Sequence, residues 1–202
     1  MIKIEDFWKI DDDIKRRYGK KWYNFVDYCG LNPVRPLENY NYSCTPKNSM
    51  TFAATGIDGV HFGIINKQKS EISSGPIVIT VPIATKNNIV VAEDLDEFFS
   101  LGYYVGWLAL EQLVYNFEDT ISYYSKPDLE LDAKEKAFLE LISNELNINH
   151  IPLSRNRLKE LDEKYFKLLE IKEDQEFDLN LLKPEHKKMV LDFFEEESKK
   201  KK

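Results

Sequence analysis

All eight glycines of this 202-residue chain lie between Gly19 and Gly106, and none follows Trp107. Glycine turns a backbone sharply at positive φ, so turns and sheet corners are expected in the first half and helices in the second. Gly56, Gly59 and Gly63 crowd into the stretch from Ser49 to Gly63. Met50 to Ala54 and Val60 to Ile65 therefore read as a hairpin, with Gly56 and Gly59 supplying the positive φ. The β-branched, proline-bounded run Ile77 to Val81 reads as another strand, and Asn88 to Ala92 as a further one. Short links between consecutive strands favour antiparallel pairing.

Helical spacing of Trp8, Ile14, Tyr18, Trp22, Phe25 and Val26 predicts a first helix. Asp11 or Asp12 would cap it, and Gly30 would stop it after Asp27 or Tyr28. Pro33, Pro36 and Pro46 make 32–48 a loop, with a short extended piece near Tyr40 to Cys44. Glu93 to Gly102 reads as a short helix with acids in its first turn and glycine at its end. Tyr103 to Asn116 reads as a second, very apolar helix buried on the sheet, with Trp107 and Tyr115 in its stripe. Asp132 and Ser154 would cap later helices running to about Leu146 and Ile171, and Pro184 would open a last one. The expected fold is α+β: a mainly antiparallel sheet flanked by helices, with a C-terminal helical extension. Residues 1–116 would form the core domain, 117–196 the helical extension packing on it, and 197–202 a solvated, disordered tail.

The formal charge of −7 and pI near 5.2 argue against a nucleic-acid partner and suit a basic protein partner. Cys29 and Cys44 match neither a disulfide framework nor a zinc spacing, so both are expected reduced in a cytoplasmic protein. The N-terminus carries no apolar run of signal-peptide length, and no segment is long enough to span a bilayer. No cofactor and no metal are expected. His61, His150 and His186 are dispersed, and Glu93, Asp94, Asp96 and Glu97 lack the alternating oxygen ligands of a calcium loop.

Asp58 and His61 are the only ionisable side chains of the glycine-bearing block. An acid–imidazole pair can orient a general base, which leaves a small hydrolase using His61 and Asp58 as one alternative. That chemistry also needs a placed nucleophile, such as Thr55 or Ser49, and oxyanion donors. The plainer reading makes Asp58 a turn residue before glycine. Strand alternation sets His61 opposite Phe62, facing solvent or a second layer. Glu111, with Gln112, is a candidate for a polar patch beside the sheet. Tyr40 and Tyr42 are candidate exposed aromatics.

Four pieces together resemble the SUKH superfamily, the bacterial immunity-protein group that includes a yeast cell-wall-synthesis regulator. They are the early aromatic segment Trp22 to Gly30, the hairpin Phe52 to Ile65, the strand Ile77 to Val81, and Asn88 to Gly102 with its acidic cap and Leu-x-x-Phe-Phe helix. The resemblance covers about residues 1–116; the helices after Asn116 are not part of the common pattern. It implies an antiparallel sheet flanked by helices and a non-catalytic role in binding and neutralising a toxin, with no catalytic residues carried over. Tyr40, Tyr42, Asp58, His61 and Glu111 are then candidate anchors for that partner. A regulatory or scaffold protein that dimerises through its C-terminal helices is the other alternative.

Overall fold

In the computed structural model of the chain, residues 1–19, 29–66, 75–124 and 133–171 are described. The chain divides into two units, Met1–Ile171 and Lys172–Lys202. The second unit lies outside the described residues, as do the expected helix from Pro184 and the tail. Residues 22–28 of the early aromatic segment and the Asp132 cap also lie outside them.

Among the described residues, five strands, β1 (Asn32–Glu38), β2 (Ser49–Ala54), β3 (His61–Ile65), β4 (Ile77–Thr80) and β5 (Asn88–Ala92), form one sheet in that spatial order. Every neighbouring pair is antiparallel, so the sheet is a simple meander. Six α-helices accompany it among the described residues: α1 (Ile4–Tyr18), α2 (Leu95–Val105), α3 (Gln112–Tyr115), α4 (Phe117–Tyr124), α5 (Ala133–Leu146) and α6 (Arg155–Tyr165). The α+β class with an antiparallel sheet is thus the observed one, and no helix among the described residues is long and apolar enough to cross a membrane.

Strand β1 falls where a loop was expected. It carries Pro33 and Pro36 but lies at the edge of the sheet, where a residue without an N–H does not interrupt a ladder on its open side. Its register against β2 shifts between Pro33 and Glu38. Tyr40 to Cys44, the expected extended piece, is not a strand.

Helix α1 begins at Ile4 rather than near Asp12, and it ends at Gly19 with φ +55. The Asp6 carboxylate accepts the Lys3 backbone N–H at 2.9 Å, which satisfies one of the orphan donors of the first turn. Asp11 is therefore a mid-helix residue. Its carboxylate is buried and held by Lys15 Nζ at 2.6 Å. Ile4, Phe7, Ile10 and Ile14 make the buried face.

Gly102 does not stop a helix. It sits inside α2 because Trp107 packs against that turn: a Cβ on Gly102 would lie 1.8 Å from Trp107 Cε2. The break comes at Gly106, with φ +70, and the chain continues through a 3-10 turn (Leu108–Glu111) into α3. The single helix expected over Tyr103 to Asn116 is thus three shorter pieces. Tyr115, expected in a buried stripe, is exposed.

One face of the sheet contributes Phe52, Phe62, Ile64, Ile79 and Ile89 to the main core. Phe98 of α2 lies at its centre, with ring centroids 5.3 Å from Phe52, 5.0 Å from Phe62 and 5.5 Å from Phe99 in edge-type geometry. Such pairs are worth about 0.5–1.5 kcal/mol beyond the area they bury. Trp107 completes the cluster and donates its indole N–H to the Phe98 carbonyl at 3.3 Å. Helix α5 packs on α1 and α2.

The opposite face is covered in two different ways. Ile65, Val78 and Val90 pack against Leu161 and Tyr165 of α6. Next to them, His61, Thr80 and Asn88 stand side by side on β3, β4 and β5, and the segment 39–48 folds over them. This double cover buries every residue of β3, β4 and β5.

Candidate functional site

The β2–β3 turn is built from backbone conformations that only a few residues adopt easily. Gly56 and Gly59 take φ +83 and +71, and Asp58 between them takes φ +49. A short polar side chain tolerates that left-handed region better than most. Thr55 closes the turn, its N–H donating to the Val60 carbonyl at 3.0 Å. A Cβ on Gly59 would also sit 2.6 Å from the Tyr42 hydroxyl, so the tyrosine would have to shift to admit one.

His61 follows directly and is only 1% exposed. Of the two orientations expected for it, solvent or a second layer, the second layer is the one formed. Nδ1 lies 2.7 Å from the Gly59 carbonyl and Nε2 lies 3.2 Å from Thr45 Oγ1. A carbonyl can only accept, so Nδ1 carries the proton and Nε2 accepts from the threonine hydroxyl. Tyr40 and Tyr42 cover the ring, with centroids 5.0 and 5.8 Å away; Tyr42 is stacked on it. Burial pushes the imidazole below its ordinary pKa, and the Gly59 carbonyl opposes that shift in part. The ring is a neutral, buried tie between the sheet and the segment above it.

That segment is held by further polar bonds. Asn88 Nδ2 donates to the Cys44 carbonyl at 3.0 Å while its Oδ1 accepts from Thr80 Oγ1 at 2.8 Å. Asn39 Nδ2 donates to the carbonyls of Pro46 and Ser49 at 2.8 and 2.9 Å. Buried polar groups of this kind cost stability unless paired, and these are paired.

Both nitrogens of His61 are taken, by Gly59 and by Thr45, so Asp58 is not the group that orients the imidazole. The acid–imidazole pair required by the hydrolase reading is not formed. The hydroxyl beside Nε2 belongs to Thr45, not to Thr55 or Ser49, and Thr45 is itself fully buried. Ser49 Oγ donates to the Pro46 carbonyl at 2.9 Å, and Thr55 Oγ1 to the Ile57 carbonyl at 3.2 Å. No group of three or more His, Cys, Asp or Glu side chains that could hold a metal occurs among the described residues.

Four of the five candidate residues nevertheless meet around this one turn. Asp58 is at its tip, His61 lies beneath it, and Tyr40 and Tyr42 arrive from the segment above. Glu111 comes from the 3-10 turn after α2. Burial raises the Glu111 carboxyl above its ordinary pKa, and the Asp58 charge raises it further. The Tyr115 phenol is pushed up by the part of it that is covered, then by Glu111 and Asp58. Tyr40 is raised by burial, then by Glu38 and Tyr42. Tyr115 and Ile57 are both exposed and were not singled out from the sequence. Tyr115 was masked by the assumption of one continuous helix, and Ile57 by its place between turn residues.

The acids at the start of α2 serve the fold. Asp94 Oδ1 caps the helix by accepting from the Glu97 N–H at 2.9 Å. Asp96 accepts from the Ile2 N–H at 3.0 Å. Glu93 and Glu97 grip α6: Arg157 donates to Glu97 Oε1 at 2.7 Å and to Glu93 Oε2 at 2.8 Å. Lys164 Nζ and the Tyr165 hydroxyl also donate to Glu93.

These features define the chain as an α+β domain built on an antiparallel meander, with a buried histidine under a tyrosine-bearing segment. No protein-family model, no curated protein and no solved structure matches it.

Proposed function

We propose that the chain is a non-catalytic, cytoplasmic protein-binding domain of the immunity type, similar to SUKH proteins, which neutralises a toxin by covering it. One observation carries the reading. Tyr42 and Ile57 remain 42% and 49% exposed at the β2–β3 turn that carries Asp58, and Tyr115 is 47% exposed. Large apolar side chains grouped at the surface with polar neighbours are the usual make-up of a docking surface. Tyrosine is among the residues that act as anchors in such surfaces. The net charge of −7 favours a basic toxin, whose encounter it would accelerate. The sheet flanked by helices is the architecture that the resemblance implies.

The test is a pull-down together with a toxicity-rescue assay against the products of neighbouring toxin genes. Co-expression should restore growth for one of them, and Tyr42→Ala with Tyr115→Ala should abolish both rescue and capture while leaving the fold intact. Failure with every adjacent candidate would count against the reading.

A further inference from the structure

We propose that residues 40–46 form a self-closed loop that lifts off the folded sheet as a unit, and that protonation of His61 beneath it drives the lifting. The loop is closed at its neck. Asn39 Nδ2 donates to the carbonyls of Pro46 and Ser49 at 2.8 and 2.9 Å, and the Ser49 N–H donates to the Pro46 carbonyl at 3.1 Å. Inside it, Asn39 Oδ1 accepts from the Asn41 N–H at 2.9 Å, and the Tyr42 carbonyl from the Thr45 N–H at 3.0 Å. A compact loop whose ends meet and that carries its own bonds keeps its shape when it leaves the surface below.

Its hold on that surface is largely polar. Thr45 meets His61 at 3.2 Å, and Asn88 Nδ2 donates to the Cys44 carbonyl at 3.0 Å. Asn41, Tyr42 and Ser43 are exposed, Tyr40 and Cys44 are half-buried, and the buried members are Thr45 and Pro46. The floor does not depend on the loop: the ladders of β3, β4 and β5 hold His61, Thr80 and Asn88 in place. Segments with few buried apolar contacts open at lower free energy than the whole fold.

His61 is the trigger by its position, 1% exposed under the rings of Tyr40 and Tyr42. A second proton on the ring would bury a positive charge. The Thr45 hydroxyl could turn to accept from it, but the groups facing the ring are Tyr40, Tyr42, Thr45, the Gly59 carbonyl and Thr80, and none is a carboxylate. Asp58 stands at the turn tip and Glu38 acts on Tyr40; neither contributes at the imidazole, where burial is the leading influence. Once the loop lifts, the ring meets water and titrates near its ordinary pKa of about 6.5. Opening therefore takes up a proton, and acid favours the open form. Tyr40 and Tyr42 leave with the loop, so acid also dismantles the docking surface; that consequence rests on the protein-binding reading, and the lifting does not.

The experiment is amide relaxation dispersion on the full chain at about pH 7.5 and about pH 5.5, one unit either side of the free imidazole. The expected result is exchange at residues 40–46 and at His61, with an open population up to about tenfold larger in acid. Phe98 and Phe99 in the core should show none of it. His61→Gln should make the population the same at both pH values. Asn88→Ala, which keeps the imidazole, should raise the population at both and preserve their ratio. Absence of exchange in the loop at both pH values would overturn the inference. So would a population indifferent to pH, which would mean that the tyrosine faces compensate the charge, or exchange shared with Phe98 at one rate, which would mean that the whole fold opens. Acid-dependent exchange in a chain that rescues no neighbouring toxin would support the loop and remove only its consequence for docking.

Discussion

The Nδ1–H of His61 donates to the carbonyl of Gly59, two residues back in the chain and 2.7 Å away. This short loop of bonding fixes the tautomer, turns Nε2 toward Thr45, and makes the ring a platform for Tyr40 and Tyr42. A histidine that sequence alone leaves open between catalysis and recognition is here a buried tie beneath two tyrosines.

Acid should loosen that platform. The folded pKa of His61 lies below the unfolded value of about 6.5, so between the two the unfolded chain binds more protons. Its contribution to stability is complete above about pH 6.5 and declines as pH falls from there toward the folded value. Urea unfolding of the wild type and of His61→Gln, measured from pH 8 to about 5, should give a difference that narrows with acid. A constant difference would show that the imidazole does not titrate as its burial requires.

Gly102 should tolerate no side chain. A Cβ there would meet Trp107 Cε2 at 1.8 Å, so Gly102→Ala is expected to cost at least about 3 kcal/mol through overpacking. Gly19 is the control, since nothing lies within 4 Å of its would-be Cβ and only its φ of +55 opposes substitution. Gly19→Ala should cost about 1–2 kcal/mol. Denaturant midpoints measured in parallel would check the order.

Helix α6 is latched by charge. Glu93 is lowered from its ordinary 4.5 to about 2, first by Lys164, then by Tyr165 and Arg157. A depressed carboxylate contributes stability above its unfolded pKa and loses it as pH falls from about 4.5 toward 2. Arg157→Ala should cost about 1–2 kcal/mol, because partly exposed ion pairs are screened by water. Amide exchange along Arg155–Tyr165 should accelerate more in that variant than elsewhere in the chain.

Asn48 ties the end of the described chain to the tyrosine-bearing segment. Its Nδ2 donates to the Leu168 carbonyl at 2.8 Å, and its Oδ1 accepts from the Glu170 N–H at 3.1 Å. Lys47 N–H adds a bond to the Glu170 carbonyl at 2.7 Å. Asn48→Ala should cost about 1–2 kcal/mol and raise amide exchange at both 39–48 and 168–171. Faster exchange at one of them alone would show that the two are not coupled.

The local chemistry of the chain determined much of this fold. Gly56 and Gly59 mark a turn because positive φ is cheap there, and the β-branched runs on either side of Pro82 mark strands. The aromatic helix after Ala92 is marked by its acidic cap. Other decisions required distant partners. Pro33 and Pro36 do not forbid a strand once β1 lies at the sheet edge. Gly102 does not end α2 because Trp107 fills the space a side chain would need, and Gly106 then sets the break that exposes Tyr115. Alternation correctly set His61 opposite Phe62 but could not say what lay beyond it. A second layer made of residues 39–48 decided that, through bonds to Thr45 and Asn88 that no local pattern encodes. The sequence by itself determined the β2–β3 turn, strands β2 to β5 and the capped start of α2, because those depend on nearest neighbours. Only the tertiary structure decided which polar groups are buried and which charged groups pair, because both depend on contacts between residues far apart in the chain.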